Sequence, residues 1–148
     1  MNSNKSLLFY MAEQGYSISL NRVSEVIHKF EVIQLPSPPP FLIGAINLRG
    51  QIVSVFDLSK AFSGKATEYK SLATCLVIIH INQTKFAIIV DRASGVTHFG
   101  DNQCEKIDEN LCKKYQEVVT HLHKHGKDIV LKFNTDKLLD FLGYQNAA

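Results

Sequence analysis

Residues 44–52 read GAINLRGQI and place an arginine inside a segment otherwise suited to a protein interior. Apolar and polar residues alternate on either side of it, so residues 42–48 and 51–58 are predicted to be two strands. The chain would reverse at Arg49-Gly50, where glycine accepts a positive φ and allows another backbone to approach closely. This pattern predicts a short hairpin with Arg49 at its tip.

The alternation also predicts which side chains face a core. Ile46 and Leu48 are expected to point inward, while Ala45, Asn47 and Arg49 point outward. A guanidinium held on a stiff tip loses little freedom when it pairs with a carboxylate, and its planar fork makes that pairing directional. Arg49 is therefore a candidate binding residue.

A short helix is predicted over residues 22–27 (RVSEVI), with Asn21 as its N-cap. Its Glu25 could pair internally with Arg49. In that case the arginine would be structural, and the structural and binding roles are compatible.

Most other segments also alternate with period two, which favours an all-β fold. Residues 63–70 are predicted to be a surface loop, and residues 100–117 are irregular with one short helix. The remaining predicted elements are strands at 6–11, 16–20, 75–81, 85–90 and 128–133, and a helix at 136–142.

The chain also resembles itself. Residues 6–27 align without a gap to residues 76–97, and residues 51–62 align to residues 128–139 in the same order. Two matched blocks in one order indicate two copies of a unit made of a hairpin, a short helical turn, a connector and a strand. Each copy is too short to bury much apolar surface alone, so two small curled sheets are expected to share or abut their cores.

Composition bounds the class of protein. A net charge of +2, with acids and bases interspersed, gives no basis for nucleic-acid binding. The longest apolar run is far too short to cross a membrane, and the N-terminus has no secretory signal. Three cysteines without CxxC spacing indicate neither a zinc site nor a disulfide framework. A soluble, cytoplasmic single domain is expected.

No nucleophile, phosphate-binding or metalloprotease motif is present in the sequence. Asp57 and Asp91 each follow a strand and could be catalytic carboxylates, although capping of the following turn is the favoured interpretation. His121, His123 and His125 would project from one face of a strand and form the best metal candidate. We favour exposed residues before a hairpin turn, and we expect no enzyme activity, no metal and no cofactor.

Residues 36–58, PSPPPFLIGAINLRGQIVSVFDL, resemble the signature of CheW-like domains. In that family a prolyl connector leads to a glycine, then Asn-Leu-Arg-Gly, an apolar strand and Asp-Leu. The resemblance extends through residues 7–27 and 86–96 to 136–139, and so covers nearly the whole chain. The matching positions of the signature are Pro36, Pro39, Phe41, Gly44, Asn47, Leu48, Arg49, Gly50, Ile52, Val55, Asp57 and Leu58.

The resemblance implies a mainly β fold of two intertwined five-stranded SH3-like barrels with short helices. Residues 1–148 would be one CheW-like domain whose two barrel subdomains share strands, each built around one copy of the internal repeat. A chain of this length leaves no room for a kinase or receiver domain, so a stand-alone member is expected.

The resemblance also implies a function. Such adaptors join the cytoplasmic tip of methyl-accepting chemoreceptors to the CheA histidine kinase in bacterial chemotaxis-type signalling. The coupling surface would include Glu25 and Arg49, with Val23, Asn47 and Gly50 beside them. No nucleic acid and no direct membrane insertion would be involved.

Two departures from the family pattern stand out. Ser54 occupies a position where the family usually has proline, and VVTHLHKHG (118–126) replaces a glycine-rich stretch before the last strand pair. The second change leaves open a divergent adaptor that serves a pilus-linked or other non-flagellar pathway.

Overall fold

The computed structural model describes residues 5–68, 72–99 and 104–143. These residues form eleven strands, one turn of 3-10 helix at Leu20–Arg22 and three short α-helices. The strands are β1 Lys5–Met11, β2 Gln14–Ser19, β3 Val23–Ile27, β4 Leu42–Leu48, β5 Gln51–Phe56, β6 Cys75–Ile81, β7 Thr84–Val90, β8 Arg92–His98, β9 Cys104–Lys106, β10 Val119–His125 and β11 Asp128–Phe133. The helices are α1 Leu58–Ser63, α2 Glu109–Lys114 and α3 Thr135–Phe141.

The strands form two sheets, which confirms the mainly β prediction. Sheet 1 has the order β8-β1-β2-β11-β10-β9, and sheet 2 has the order β3-β6-β7-β5-β4. Sheet 2 has the expected five strands, whereas sheet 1 has a sixth because the three-residue β9 pairs with β10.

The two copies of the repeat exchange their strands. The hairpin β1–β2 of the first copy pairs with β8 and β11 from the second half of the chain. The hairpin β6–β7 of the second copy pairs with β3 and β5 from the first half. Each sheet therefore depends on both halves of the sequence, so neither half can complete a sheet alone.

A large core lies between the sheets, and a smaller one lies against the other face of each sheet. Along β6, Cys75, Val77, Ile79 and Ile81 belong to the shared core, while Leu76 and Ile78 belong to the core of sheet 2. β6 and β7 are thus buried on both faces, which explains their near-continuous apolar sequence.

Sheet 2 curls until its two ends meet. After β3 the chain turns back, and Ile33 forms a bridge with Ala45 of β4, the strand at the far end of the sheet. The Ile33 N–H donates to the Ala45 carbonyl at 2.7 Å, and the Ala45 N–H donates to the Ile33 carbonyl at 2.9 Å. These two hydrogen bonds close the sheet on itself.

This closure explains Gly44. A Cβ atom at this position would lie 2.4 Å from the Ile33 carbonyl oxygen and 2.6 Å from a Val32 methyl carbon. Real Cβ atoms do not approach backbone oxygens that closely, so only glycine fits beside the returning chain.

The predicted helix at 22–27 is wrong. Leu20–Arg22 form one 3-10 turn, Val23–Ile27 form β3, and Asn21 is not a cap. Three of the five residues of β3 are valine or isoleucine, which suit a strand, and pairing with β6 supplies partners that a local helix would lack. The same error affected β8. Residues 92–97 align with residues 22–27 and were therefore also expected to form a helical turn, but they belong to strand β8.

The other differences from the sequence predictions also have identifiable structural causes. Ala45 is buried rather than outward-facing, because Ile33 crosses over it. The strand predicted to run to residue 58 ends at Phe56, because Asp57 begins α1. Within the predicted 63–70 loop, Thr67 is buried. Parts of two predicted loops, 69–70 and 100–103, lie outside the described residues, as do the ends of the 1–148 domain.

The closure of sheet 2 predicts an unusually costly substitution at Gly44. Gly44→Ala should lower the free energy of unfolding by about 2–3 kcal/mol, because a buried methyl would push the bridging chain away from β4. Urea unfolding at neutral pH measures the loss.

Gly126→Ala is the matched control. Gly126 also has a positive φ (64°), but a Cβ there would have no neighbour within 4 Å. Gly126→Ala should therefore lower the free energy of unfolding by only about 1 kcal/mol, from backbone strain. Equal losses in the two variants would show that contact with Ile33 does not restrict Gly44.

Candidate functional site

The β4–β5 hairpin has the two-residue turn that the sequence predicted. Leu48 pairs with Gln51, and the two residues between them, Arg49 and Gly50, have φ values of 49° and 89°. Two successive positive φ values match the twist of the flanking strands. The Gly50 N–H donates to Asn47 Oδ1 at 2.8 Å, so the asparagine orders the turn that presents Arg49.

Arg49 forms a two-pronged salt bridge with Glu25. Its Nη1 donates to Glu25 Oε1 at 3.3 Å, and its Nη2 donates to Glu25 Oε2. Glu25 lies on β3 and Arg49 follows β4, the two strands at opposite ends of sheet 2. The salt bridge therefore spans the same closure as the Ile33–Ala45 bridge.

The pair is oriented but remains accessible. The Arg49 side chain is 69% exposed and the Glu25 side chain 30% exposed. A guanidinium has five N–H donors, so Arg49 retains donors for another acceptor after pairing with Glu25. Glu25 fixes the direction of the Arg49 side chain without covering it.

The electrostatics agree with the geometry. The hydrogen bonds from Arg49 are the main cause that lowers the pKa of the Glu25 carboxyl. Burial opposes them, and the charges of Arg49 and Lys85 lower the pKa further. The same hydrogen bonds raise the pKa of Arg49. Both groups are therefore ionised at neutral pH.

Of the other predicted site residues, one is half-buried and two are exposed. Val23 is half-buried against the shared core. Between Val23 and Glu25 the register of β3 against β6 shifts by one residue, which is a bulge that changes where the following side chains point. Asn47 and Gly50 are exposed. The structure thus brings Glu25, Asn47, Arg49 and Gly50 to one tip, whereas Val23 begins the strand that carries Glu25 and packs against the shared core.

An apolar groove beside this tip was not predicted. It has a volume of about 320 Å³, and Asn47 and Leu48 form part of its wall. Ile33, at its edge, is 51% exposed. The other lining residues are Ile27, Lys29, Phe30, Glu31 and Ile46.

Ile52 adds a further exposed apolar side chain. It lies directly across from Asn47 and is 68% exposed. The sequence contained a signal for it, since Val53 and Val55 occupy the inward phase of β5 and Ile52 is therefore an isoleucine on the outward phase.

The two candidate catalytic carboxylates have structural contacts. Asp57 is buried and accepts hydrogen bonds from the Ser59 N–H at 3.1 Å, the Thr67 N–H at 2.8 Å and the Thr67 hydroxyl at 3.0 Å. It caps α1, as the favoured interpretation predicted. Asp91 accepts from the Ala12 N–H at 2.8 Å, so it ties down the β1–β2 turn.

The three histidines do not converge. His123 is buried and stacks on Phe99, so the prediction that all three are exposed is wrong for it. Thr120 Oγ1 and His121 Nδ1 form a hydrogen bond at 2.9 Å, and His125 is exposed. Among the described residues, no group of three or more His, Cys, Asp or Glu side chains could hold a metal ion.

The fold and the presented tip define a two-sheet β protein with an exposed, oriented arginine at one hairpin turn. The CheW-like domain family matches residues 5–142. The chain belongs to the CheW-like domain family.

Characterised relatives are similar over most of their length. The chemotaxis protein CheW of Klebsiella aerogenes is 27% identical over 133 residues, covering 90% of this chain and 80% of that protein. The chemotaxis protein CheW of Thermotoga maritima is 25% identical over 134 residues, covering 90% and 86%. The crystal structure of the scaffolding protein TtCheW from Thermoanaerobacter tengcongensis has a TM-score of 0.75 at 28% identity, covering 89% of each chain.

Within the residues that the structure describes, no helix is long and apolar enough to cross a bilayer.

The salt bridge makes a prediction about protonation. Because the folded-state pKa of Glu25 is lowered, the pairing is fully present above its ordinary value of 4.5 and is lost only as the pH falls through the lower folded value. In Arg49→Ala the pKa of Glu25 should rise towards 4.5. The side-chain carboxyl ¹³C shift, followed by NMR against pH, measures it.

Lys85→Ala is the control, because Lys85 is the smallest of the causes that act on Glu25. Lys85→Ala should raise the pKa of Glu25 much less than Arg49→Ala does. An unchanged titration in Arg49→Ala would show that the two side chains are not paired in solution.

Proposed function

We propose that this protein is a non-catalytic adaptor that couples chemoreceptors to a CheA-type histidine kinase in chemotaxis-type signalling. The observation that carries the proposal is the Arg49 tip, where Glu25 and Asn47 fix the direction of an exposed guanidinium. Family membership and the relatives named chemotaxis protein CheW support the pathway.

Arg49 would supply orientation at the interface, and the neighbouring apolar residues would supply affinity. A planar guanidinium recognises a carboxylate or backbone carbonyl in a defined direction. Ile33 and Ile52 are exposed and would be covered when a partner docks, which gives the apolar contribution that interfaces need. The charged pair and the apolar side chains together fit a protein partner rather than a small substrate.

The exchanged strands support a scaffold role. Because each sheet contains strands from both halves of the chain, the two halves cannot separate without breaking hydrogen-bonded ladders, and the shared core packs the two sheets together. A partner on one sheet and a partner on the other would therefore be held in a fixed relation. Each contact can be modest, since linked contacts in an array reinforce each other.

The receptor tip and the kinase define where the protein would act. Both face the cytoplasm in such systems, so we place the adaptor there, beside membrane receptor arrays. A metal-binding role through His121, His123 and His125 has no support in the geometry of the described residues.

The proposal predicts that Arg49→Ala weakens coupling while the fold stays intact. Removing an oriented interface arginine should reduce binding to a receptor fragment or to the kinase roughly ten-fold, and kinase activation should fall with it. Co-purification with both partners and a kinase assay measure the loss, and circular dichroism checks the fold.

Lys124→Ala serves as the matched control. Lys124 is an exposed lysine of sheet 1 with its own partner, Glu105, at 3.8 Å, and it precedes the equivalent hairpin turn. Lys124→Ala should bind the receptor fragment and the kinase, and activate the kinase, as the wild type does. Wild-type coupling in Arg49→Ala would remove Arg49 from the partner surface.

A further inference from the structure

His123 occupies an unexpected place in sheet 1. Its side chain is 3% exposed and lies in the small core of that sheet, next to the buried Leu8 and Val130. Its ring stacks on Phe99, with centroids 4.1 Å apart and an angle of 10° between the planes. Phe99 follows β8 and His123 lies on β10, so this contact joins two parts of sheet 1 that are far apart in the strand order.

Both ring nitrogens of His123 are buried and have no hydrogen-bond partner among the described residues. Buried polar groups are normally satisfied, and leaving one unpaired carries a cost. A histidine at this position therefore costs folding free energy relative to an apolar residue.

The internal repeat shows that the fold does not require a histidine here. In the β10–β11 hairpin His123 lies across from Val130, and His125 across from Asp128 closes the turn. In the β4–β5 hairpin the equivalent position is Ile46, which lies across from Val53 in a hairpin closed by Leu48 and Gln51. Ile46 is buried to the same extent as His123.

The groups around His123 oppose a positive charge on it. Burial is the main cause that lowers its pKa to about 4, and Lys132 of β11 and His121 of β10 add to that effect. Burial is also the main cause that lowers the pKa of His121, and Lys132 and Lys106 of β9 add to it. The nearest strand neighbours thus supply cations or neutral groups.

The remaining ionisable groups do not offset that environment. Cys104 of β9 lies directly across from His123. The Glu105 carboxylate on the same strand pairs with Lys124 at 3.8 Å. Tyr10 of β1 packs against the same small core, and the His125 ring meets Phe99 edge-on at 6.0 Å. Among the described residues, no carboxylate is hydrogen-bonded to the His123 ring.

We propose that His123 makes sheet 1 acid-sensitive: a proton on its ring expels it from the Phe99 stack and opens the β9–β10 side of the sheet, while sheet 2 stays closed. Sheet 2 has an isoleucine in the equivalent position and carries the Arg49 tip. Acid would therefore open the β9–β10 side of sheet 1 and leave sheet 2 unchanged. This property is independent of the proposed coupling function.

The direction of the pH effect on sheet 1 follows from the link between proton binding and folding. The folded-state pKa of His123 lies below the ordinary value of 6.5, so its stabilising effect is fully present above about pH 6.5 and is lost as the pH falls towards 4. With those two values, opening should become about thirty-fold more favourable at pH 5 than at pH 7.5.

Amide hydrogen exchange of the full chain at these two pH values, corrected for intrinsic rates, tests the proposal. Protection of the β9 and β10 amides should fall by about thirty-fold in the wild type at pH 5, while the β4–β7 amides keep theirs. In His123→Ile the β9 and β10 amides should show no such fall. The exposed His28 provides the control, because His28→Gln should behave as the wild type does.

Two results would overturn the proposal: the same pH dependence in His123→Ile as in the wild type, or an equal loss of protection in both sheets. If His123→Ile does not fold, NMR titration of the wild-type His123 ring decides. An inflection near pH 4 supports the proposal, whereas one at the ordinary value shows a ring already open to solvent and overturns it.

Discussion

The closure of sheet 2 is the constraint on which the candidate site depends. The chain that leaves β3 returns to pair with β4 at Ala45, and it fits only because Gly44 has no side chain. This return brings the first and last strands of the sheet together, so Glu25 meets Arg49 although their strands are not neighbours in the ladder. Without the closure, Glu25 and Arg49 would lie at opposite edges of an open sheet, and Glu25 could not orient the guanidinium.

The exchange of strands gives the molecule its two-part character. Both sheets share the large core, yet each has a small core of its own, and those two differ in chemistry. The core of sheet 2 has Ile46 at the position where sheet 1 has the buried His123. The two equivalent hairpins therefore differ: β4–β5 presents a charged tip, and β10–β11 carries a buried ionisable group.

The sequence predicted the features that depend on local pattern. Alternation located most strands, the Arg49-Gly50 turn was evident from its residues, and the internal repeat indicated two related sheets. It failed where distant segments decide the outcome. Residues 23–27 form a strand because β6 pairs with them, Ala45 is buried because Ile33 crosses it, and His123 faces a core that Phe99 completes. The Glu25–Arg49 pair was anticipated as a possibility, but its two-pronged geometry across the closure could come only from the fold.

The most direct test of this account is a double-mutant cycle with Glu25→Gln and Arg49→Ala, singly and together, measured on both unfolding and binding to a receptor fragment or the kinase. Exposed ion pairs contribute little to stability, so the account predicts little coupling between the two changes in urea unfolding and a clear coupling in the binding constants. Coupling that appears in unfolding and is absent from binding would contradict the claim that Glu25 holds Arg49 in position for a partner.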